Sequence, residues 1–189
     1  MTRVSLSTGF SLIELLVSLA VTGIGLVGVL QLYAYGQSSE LESYQRSQAL
    51  VLLDDMANRL DANRGAAPCY AVSDAVSGAP SVGEGNSAIF SCTGAGTSAS
   101  RALADSDLAQ WDLALKGGAE RRDGVNVGGV RGARGCVWSD VAGDVYVLSV
   151  SWQGRAPGSV PTNTCGQGEY GDEQLRRVVS TTVRLADLN

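Results

Sequence analysis

One acid stands at the head of the most apolar part of this chain. Glu14 lies five positions after Gly9 and four after Phe10, inside the run FSLIELLVSLAVTGIGLVGVLQLYAYGQSS, and residues 15–39 carry no charge. A carboxylate placed in hydrocarbon costs roughly 3 kcal/mol unless it sits near an interface or meets a partner, so it is a functional candidate by default. The same residues also read as local structure. Ser11-x-x-Glu14 fits a capping box, with Glu14 as the reciprocal cap of a helix start. On these residues alone both readings stay open.

Little else in the chain suggests chemistry. There is no His among the 189 residues, and Lys116 is the only Lys. That removes His-based acid/base catalysis, Ser-His-Asp triads, Cys-His nucleophiles and most zinc sites. Asp54 and Asp55 form an acid pair, but adjacent helix residues do not face one another, so they read as a solvated face. An anchored periplasmic enzyme is therefore not expected. Net charge is −5 and the isoelectric point about 4.7, which does not attract polyanions. The basic pairs Arg121 with Arg122 and Arg131 with Arg134 read as solvated loop faces, and no direct nucleic-acid binding is expected.

Cys69, Cys92, Cys136 and Cys165 are widely spaced, with no Cys-x-x-Cys pair and no His to complete a metal set. No metal or cofactor is expected. An even number of cysteines downstream of an export-type segment points to two disulfides in an oxidising compartment, against buried free thiols in a cytosolic protein. Three pairings are possible. Cys69 with Cys92 and Cys136 with Cys165 is favoured, because each closes a local loop, worth about 3 kcal/mol.

These groups need elements to hold them. The 21 residues 15–35 span about 30 Å as a helix, the thickness of a bilayer's hydrocarbon core. Arg3 in the short polar start MTRVSLSTG keeps that end cytoplasmic and the remainder outside. The run is too long for a cleavable secretory signal and lacks a small-x-small exit. A plain signal anchor satisfies the length but leaves Glu14 without a reason. Gly23, Gly25 and Gly28 interrupt the run, where small residues let helices approach closely in a membrane. From residue 37 the pattern turns amphipathic. Ala49, Leu52, Leu53, Met56, Ala57 and Leu60 follow helical spacing and form a core face, while Glu42, Arg46, Asp55 and Arg59 occupy polar positions. One helix over residues 10–63 is expected, ended by Gly65 and Pro68.

Residues 65–101 show little regular structure beyond an apolar patch at residues 88–90. DSDLAQWDLALK, residues 105–116, reads as a short helix with acids at its start and Trp111 in the core. Strands are expected at residues 136–138, at VYVLSVSW with Tyr146, Leu148, Val150 and Trp152 on one face, and at RVVSTTVRL with Val179, Thr181, Val183 and Leu185 on one face. A turn at residues 140–144 joins the first two strands, and the Gly- and Pro-rich residues 153–174 join the last two. The fold class is α+β: a long N-terminal transmembrane and amphipathic helix packed on a C-terminal antiparallel β-sheet with disulfide-stapled loops.

The segment Gly9-Phe10-Ser-Leu-Ile-Glu14, its short basic leader and the spanning run together resemble the class III signal of the type IV pilin superfamily. The resemblance implies that a prepilin peptidase cuts between Gly9 and Phe10 and N-methylates the new Phe10 amine. It also implies that Glu14 neutralises the terminal ammonium of a neighbouring subunit, two charges that are tolerated in low dielectric as a pair. It adds that a Gly-rich stretch of the helix unwinds in filaments. YQRSQALVLLDDMANRLDANRG, the VSW strand and RRVVSTTVRL further resemble the PilV type of minor pilin, the pilus modification proteins.

The organisation so implied is a prepilin leader over residues 1–9, a transmembrane and assembly helix over 10–36, the amphipathic half of the helix over 37–64 and a periplasmic globular pilin domain over 65–189. The implied function is that of a minor pilin in pilus assembly and priming, bearing on twitching motility, adhesion and DNA uptake. Its implied partners are the peptidase, other minor pilins, the major pilin and an inner-membrane assembly platform. The protein would be a single-pass inner-membrane protein before it enters the pilus. Two alternatives are a minor pseudopilin of a type II secretion system and a membrane-anchored adhesin whose stapled loops bind a ligand.

Overall fold

A computed structural model of the protein describes residues 9–87, 89–118, 121–126, 128–140 and 143–185. The leader expected at residues 1–9 lies outside them except for Gly9. So do Ala88 of the apolar patch and two positions of the 140–144 turn. The chain divides into two compact units, Met1–Leu41 and Glu42–Asn189.

Helix α1 covers Leu12–Ala62 and contributes to both units. Within the first unit, none of its described residues up to Gln37 is buried, and every large apolar side chain from Leu12 to Leu32 is more than half exposed. In the second unit it buries Ala49, Leu53, Met56 and Leu60, with Leu52 and Ala57 partly covered. It ends one residue before Asn63, ahead of a 3₁₀ segment at Arg64–Tyr70 that holds Pro68.

Four strands make the main sheet: β1 (Val82–Gly83), β4 (Arg134–Ser139), β5 (Val145–Gln153) and β6 (Arg176–Arg184). Their order is β1-β4-β5-β6, antiparallel throughout, and β2 (Arg121–Arg122) with β3 (Val125–Asn126) forms a separate two-stranded ribbon. On one face of β5, Tyr146, Leu148, Val150 and Trp152 join Val137 of β4 and Val179 of β6 in the same core as the four buried residues of α1. Helix α2 (Ser98–Leu115) closes that core with Ala104, Leu108, Trp111 and Leu115. The Trp111 ring lies on β4 where Gly135 has no side chain, and its indole N–H donates to the Leu52 carbonyl at 2.8 Å. The long helix on an antiparallel sheet with two disulfides is the α+β pilin-like architecture expected.

Some boundaries differ. Helix α2 begins seven residues before Asp105, because the Thr97 hydroxyl accepts the Ser100 N–H and caps it there. Asp105 and Asp107, read as helix-start acids, instead accept hydrogen bonds from Cys92 and from Tyr70 and Arg59. Residues 65–101 hold most of the 3₁₀ segment, β1 and the start of α2, where little regular structure was expected. Arg134 is no solvated loop residue: it opens β4, is buried, pairs with Glu169 at 2.9 Å and lies over the Tyr170 ring.

Candidate functional site

The residues singled out by the sequence come together at the start of α1. Gly9 and Phe10 precede the helix in irregular backbone, and Phe10 is 85% exposed. A side chain at Gly9 would meet nothing within 4 Å. The Ser11 carbonyl accepts the N–H groups of both Glu14 and Leu15, at 3.1 and 3.3 Å, which opens the first turn. Glu14 therefore stands one turn past Phe10. Its side chain is exposed, and its carboxylate has no hydrogen-bond or ion-pair partner among the described residues. No contact of the Glu14 side chain with the backbone of Ser11 completes a capping box.

The rod behind it is prepared for an apolar surrounding. Ser18 donates its hydroxyl to the Leu15 carbonyl at 2.9 Å, and Thr22 donates to Ser18 at 2.7 Å. Both hydroxyls are thus satisfied within the helix and lose little on leaving water. Added Cβ atoms at Gly23, Gly25 and Gly28 would also meet nothing within 4 Å. This helix is long and apolar enough to cross a membrane, and no part of its apolar window is buried.

In the second unit the cysteines are bonded Cys69 to Cys92 and Cys136 to Cys165, with Cα separations of 5.5 and 5.8 Å. The first ties the 3₁₀ segment to the loop before α2. The second ties β4 to the loop between β5 and β6, which lies over the face of β5 opposite the core. There Ser149 and Ser151 are fully buried, and the Ser151 hydroxyl meets the Tyr170 hydroxyl at 2.9 Å.

Two polar clusters escaped the sequence reading. Asp107 accepts the Tyr70 hydroxyl at 2.5 Å and Arg59 at 2.9 Å, while Asn63 donates to the Tyr70 oxygen and to the Ser100 carbonyl. Burial first, and the Asp107 carboxylate second, push the Tyr70 phenol well above its ordinary value. Arg176 is 1% exposed, pairs with Glu173 at 2.7 Å, and donates to the carbonyls of Pro161, Asn163 and Cys165. The only sequence signal for this cage is a Gly- and Pro-rich loop whose carbonyls need donors. Among the described residues no group of His, Cys, Asp and Glu could hold a metal ion.

The family model described as the prokaryotic N-terminal methylation motif matches residues 5–30. No curated protein and no solved structure matched the chain. The motif covers Gly9, Phe10, Glu14 and most of the exposed apolar rod, and with that rod it points to membrane anchoring. Set beside the helix-on-sheet fold of the second unit, it makes the chain a type IV pilin-like protein of a pilus or pseudopilus.

Proposed function

We propose that this chain is a minor pilin of the type IV pilus, resembling the PilV type, made as a precursor and cut between Gly9 and Phe10 by a prepilin peptidase. Residues 1–9 are the leader, 10–36 the membrane and assembly helix, 37–64 its amphipathic continuation and 65–189 the periplasmic domain. The peptidase methylates the new Phe10 amine, and the subunit then joins other minor pilins and the major pilin at an inner-membrane platform. The observation that carries this reading is a carboxylate, Glu14, with no partner among the described residues, one turn past an exposed Gly9-Phe10 bond. In hydrocarbon such a charge costs roughly 3 kcal/mol unless it lies near an interface or meets an opposite charge, and the amine of a neighbouring subunit supplies one.

The test is intact mass of the membrane-extracted full-length protein from cells that contain a prepilin peptidase. Loss of residues 1–9 with gain of one methyl group is expected, and Gly9→Ala is expected to retain the leader. Glu14→Ala is expected to be processed and then to stay out of sheared filaments. A wild-type mass that still includes residues 1–9 overturns the processing step, and normal filament entry by Glu14→Ala overturns the pairing.

A further inference from the structure

The last strand, β6, presents an open edge. Gly154 donates its N–H to the Leu175 carbonyl at 2.7 Å, and Leu185 donates to Asp144 at 2.9 Å. Both bonds continue the β5–β6 register by one pair, at opposite ends of the ladder. Directly bonded pairs alternate with unbonded ones in an antiparallel ladder, so residues 177, 179, 181 and 183 bond to β5. The N–H and C=O groups of Val178, Ser180, Thr182 and Arg184 point the other way. No strand pairs with β6 on that side, and none of these backbone groups has a partner among the described residues.

Natural sheets blunt such edges with proline, bulges, shortness or charge. Strand β1, at the opposite edge, is two residues long. Strand β6 runs nine residues with no proline and an unbroken register. At its Arg177 end lies a cavity of about 250 Å³ lined by Glu42, Ser43, Arg46, Trp152, Arg177 and Val178. Trp152 is 2% exposed, and its indole N–H has no acceptor among the described residues. Arg177 is already held by Glu42 at 2.6 Å. Arg46 at the cavity and Arg184 at the far end of the strand are exposed and have no partner among the described residues.

We infer that the outer edge of β6 and this cavity bind an extended, acidic segment of a partner protein, added to the sheet as a fifth strand. Residues 178–184 offer about 20 Å of unpaired backbone, the length of a seven-residue strand. A carboxylate near each end of the segment meets Arg46 and Arg184, and an oxygen entering the cavity gives the Trp152 N–H an acceptor. A second copy of β6 is a poor occupant, because RRVVSTTVR has three arginines and no acid.

The test uses the full-length chain in detergent micelles with the peptide Asp-Val-Thr-Val-Thr-Val-Asp, and the same peptide with Lys at both ends as its comparison. Saturable binding of the acidic peptide is expected to slow amide exchange at Val178, Ser180, Thr182 and Arg184 by about tenfold, with residues 177, 179, 181 and 183 unchanged. Thr182→Pro removes one outward N–H without touching the β5 ladder and is expected to weaken binding by about fivefold. Arg46→Glu with Arg184→Glu is expected to reverse the preference toward the Lys-ended peptide, which decides the matter even if the proline variant fails to fold. Absence of binding, equal binding of the two peptides, or protection without the outward pattern overturns the inference. So does protection of the same amides by protein concentration alone, which would assign the edge to a second copy.

Discussion

Replacing Asp107 by Ala should loosen the second unit more than any surface change. The carboxylate accepts the Tyr70 hydroxyl at 2.5 Å and Arg59 at 2.9 Å, and Asp107 is itself buried. Without it the Tyr70 proton has no acceptor in a closed site, at about 2 kcal/mol. Loss of the Arg59 contact adds only about 1 kcal/mol, because Arg59 is partly exposed and keeps Asp55 and Gln110. The sum, about 3 kcal/mol, corresponds to a fall in Tm of about 9 °C for a unit of this size. Trp111, Trp138 and Trp152 all lie in that unit, so tryptophan fluorescence of the full-length protein in detergent reports its unfolding in urea. A double-mutant cycle with Tyr70→Phe isolates the shared bond, with an expected coupling of about 1.5 kcal/mol. A loss under about 1 kcal/mol for Asp107→Ala, or additivity with Tyr70→Phe within about 0.5 kcal/mol, would refute the reasoning.

Tyr70 also predicts an alkaline limit. Its phenol titrates higher folded than unfolded, so its contribution is complete below about pH 10 and is lost as pH rises through the folded value. A urea series across that range should show stability falling above about pH 10, with a smaller fall for Tyr70→Phe. Gly135→Ala would put a Cβ 2.1 Å from the Trp111 ring; a loss of about 2 kcal/mol and a shifted Trp emission are expected. Paired replacement of Cys136 and Cys165 by Ser should cost about 3 kcal/mol in the same assay.

What the sequence made legible follows from how local each signal is. The uncharged run of residues 15–39 needs no tertiary information to be read as an apolar helix, and the alternation in VYVLSVSW gives the core face of β5 directly. Signals failed where a polar residue works at a distance. Asp105 and Asp107 look like helix-start acids in sequence, yet each bonds across the fold. Alternation also implies a wet face for β5, but the loop held by Cys165 and Arg176 buries Ser149 and Ser151. Arg134 and Arg176 resemble surface cations until the loop that covers them is in place. The start of α2 was missed, since it was expected at Asp105 whereas Thr97 caps the helix by accepting the Ser100 N–H.

One physical test separates the two units. In the second, each buried or nearly buried cation is compensated inside the fold: Arg134 by Glu169, and Arg176 by Glu173 and three loop carbonyls. Such pairs break at a high cost when one member is removed, so they belong to stability. In the first unit the Glu14 carboxylate has no partner among the described residues, and the large apolar side chains around it are all exposed. In water the carboxylate is solvated but the apolar side chains are not, and their exposure is not relieved from within that unit. The rod therefore calls for an apolar surrounding, and on the proposed reading a cation at Glu14, which lipid alone does not supply. The proposed cleavage after Gly9 would supply that cation, as a free amine one turn from the acid of each neighbouring subunit.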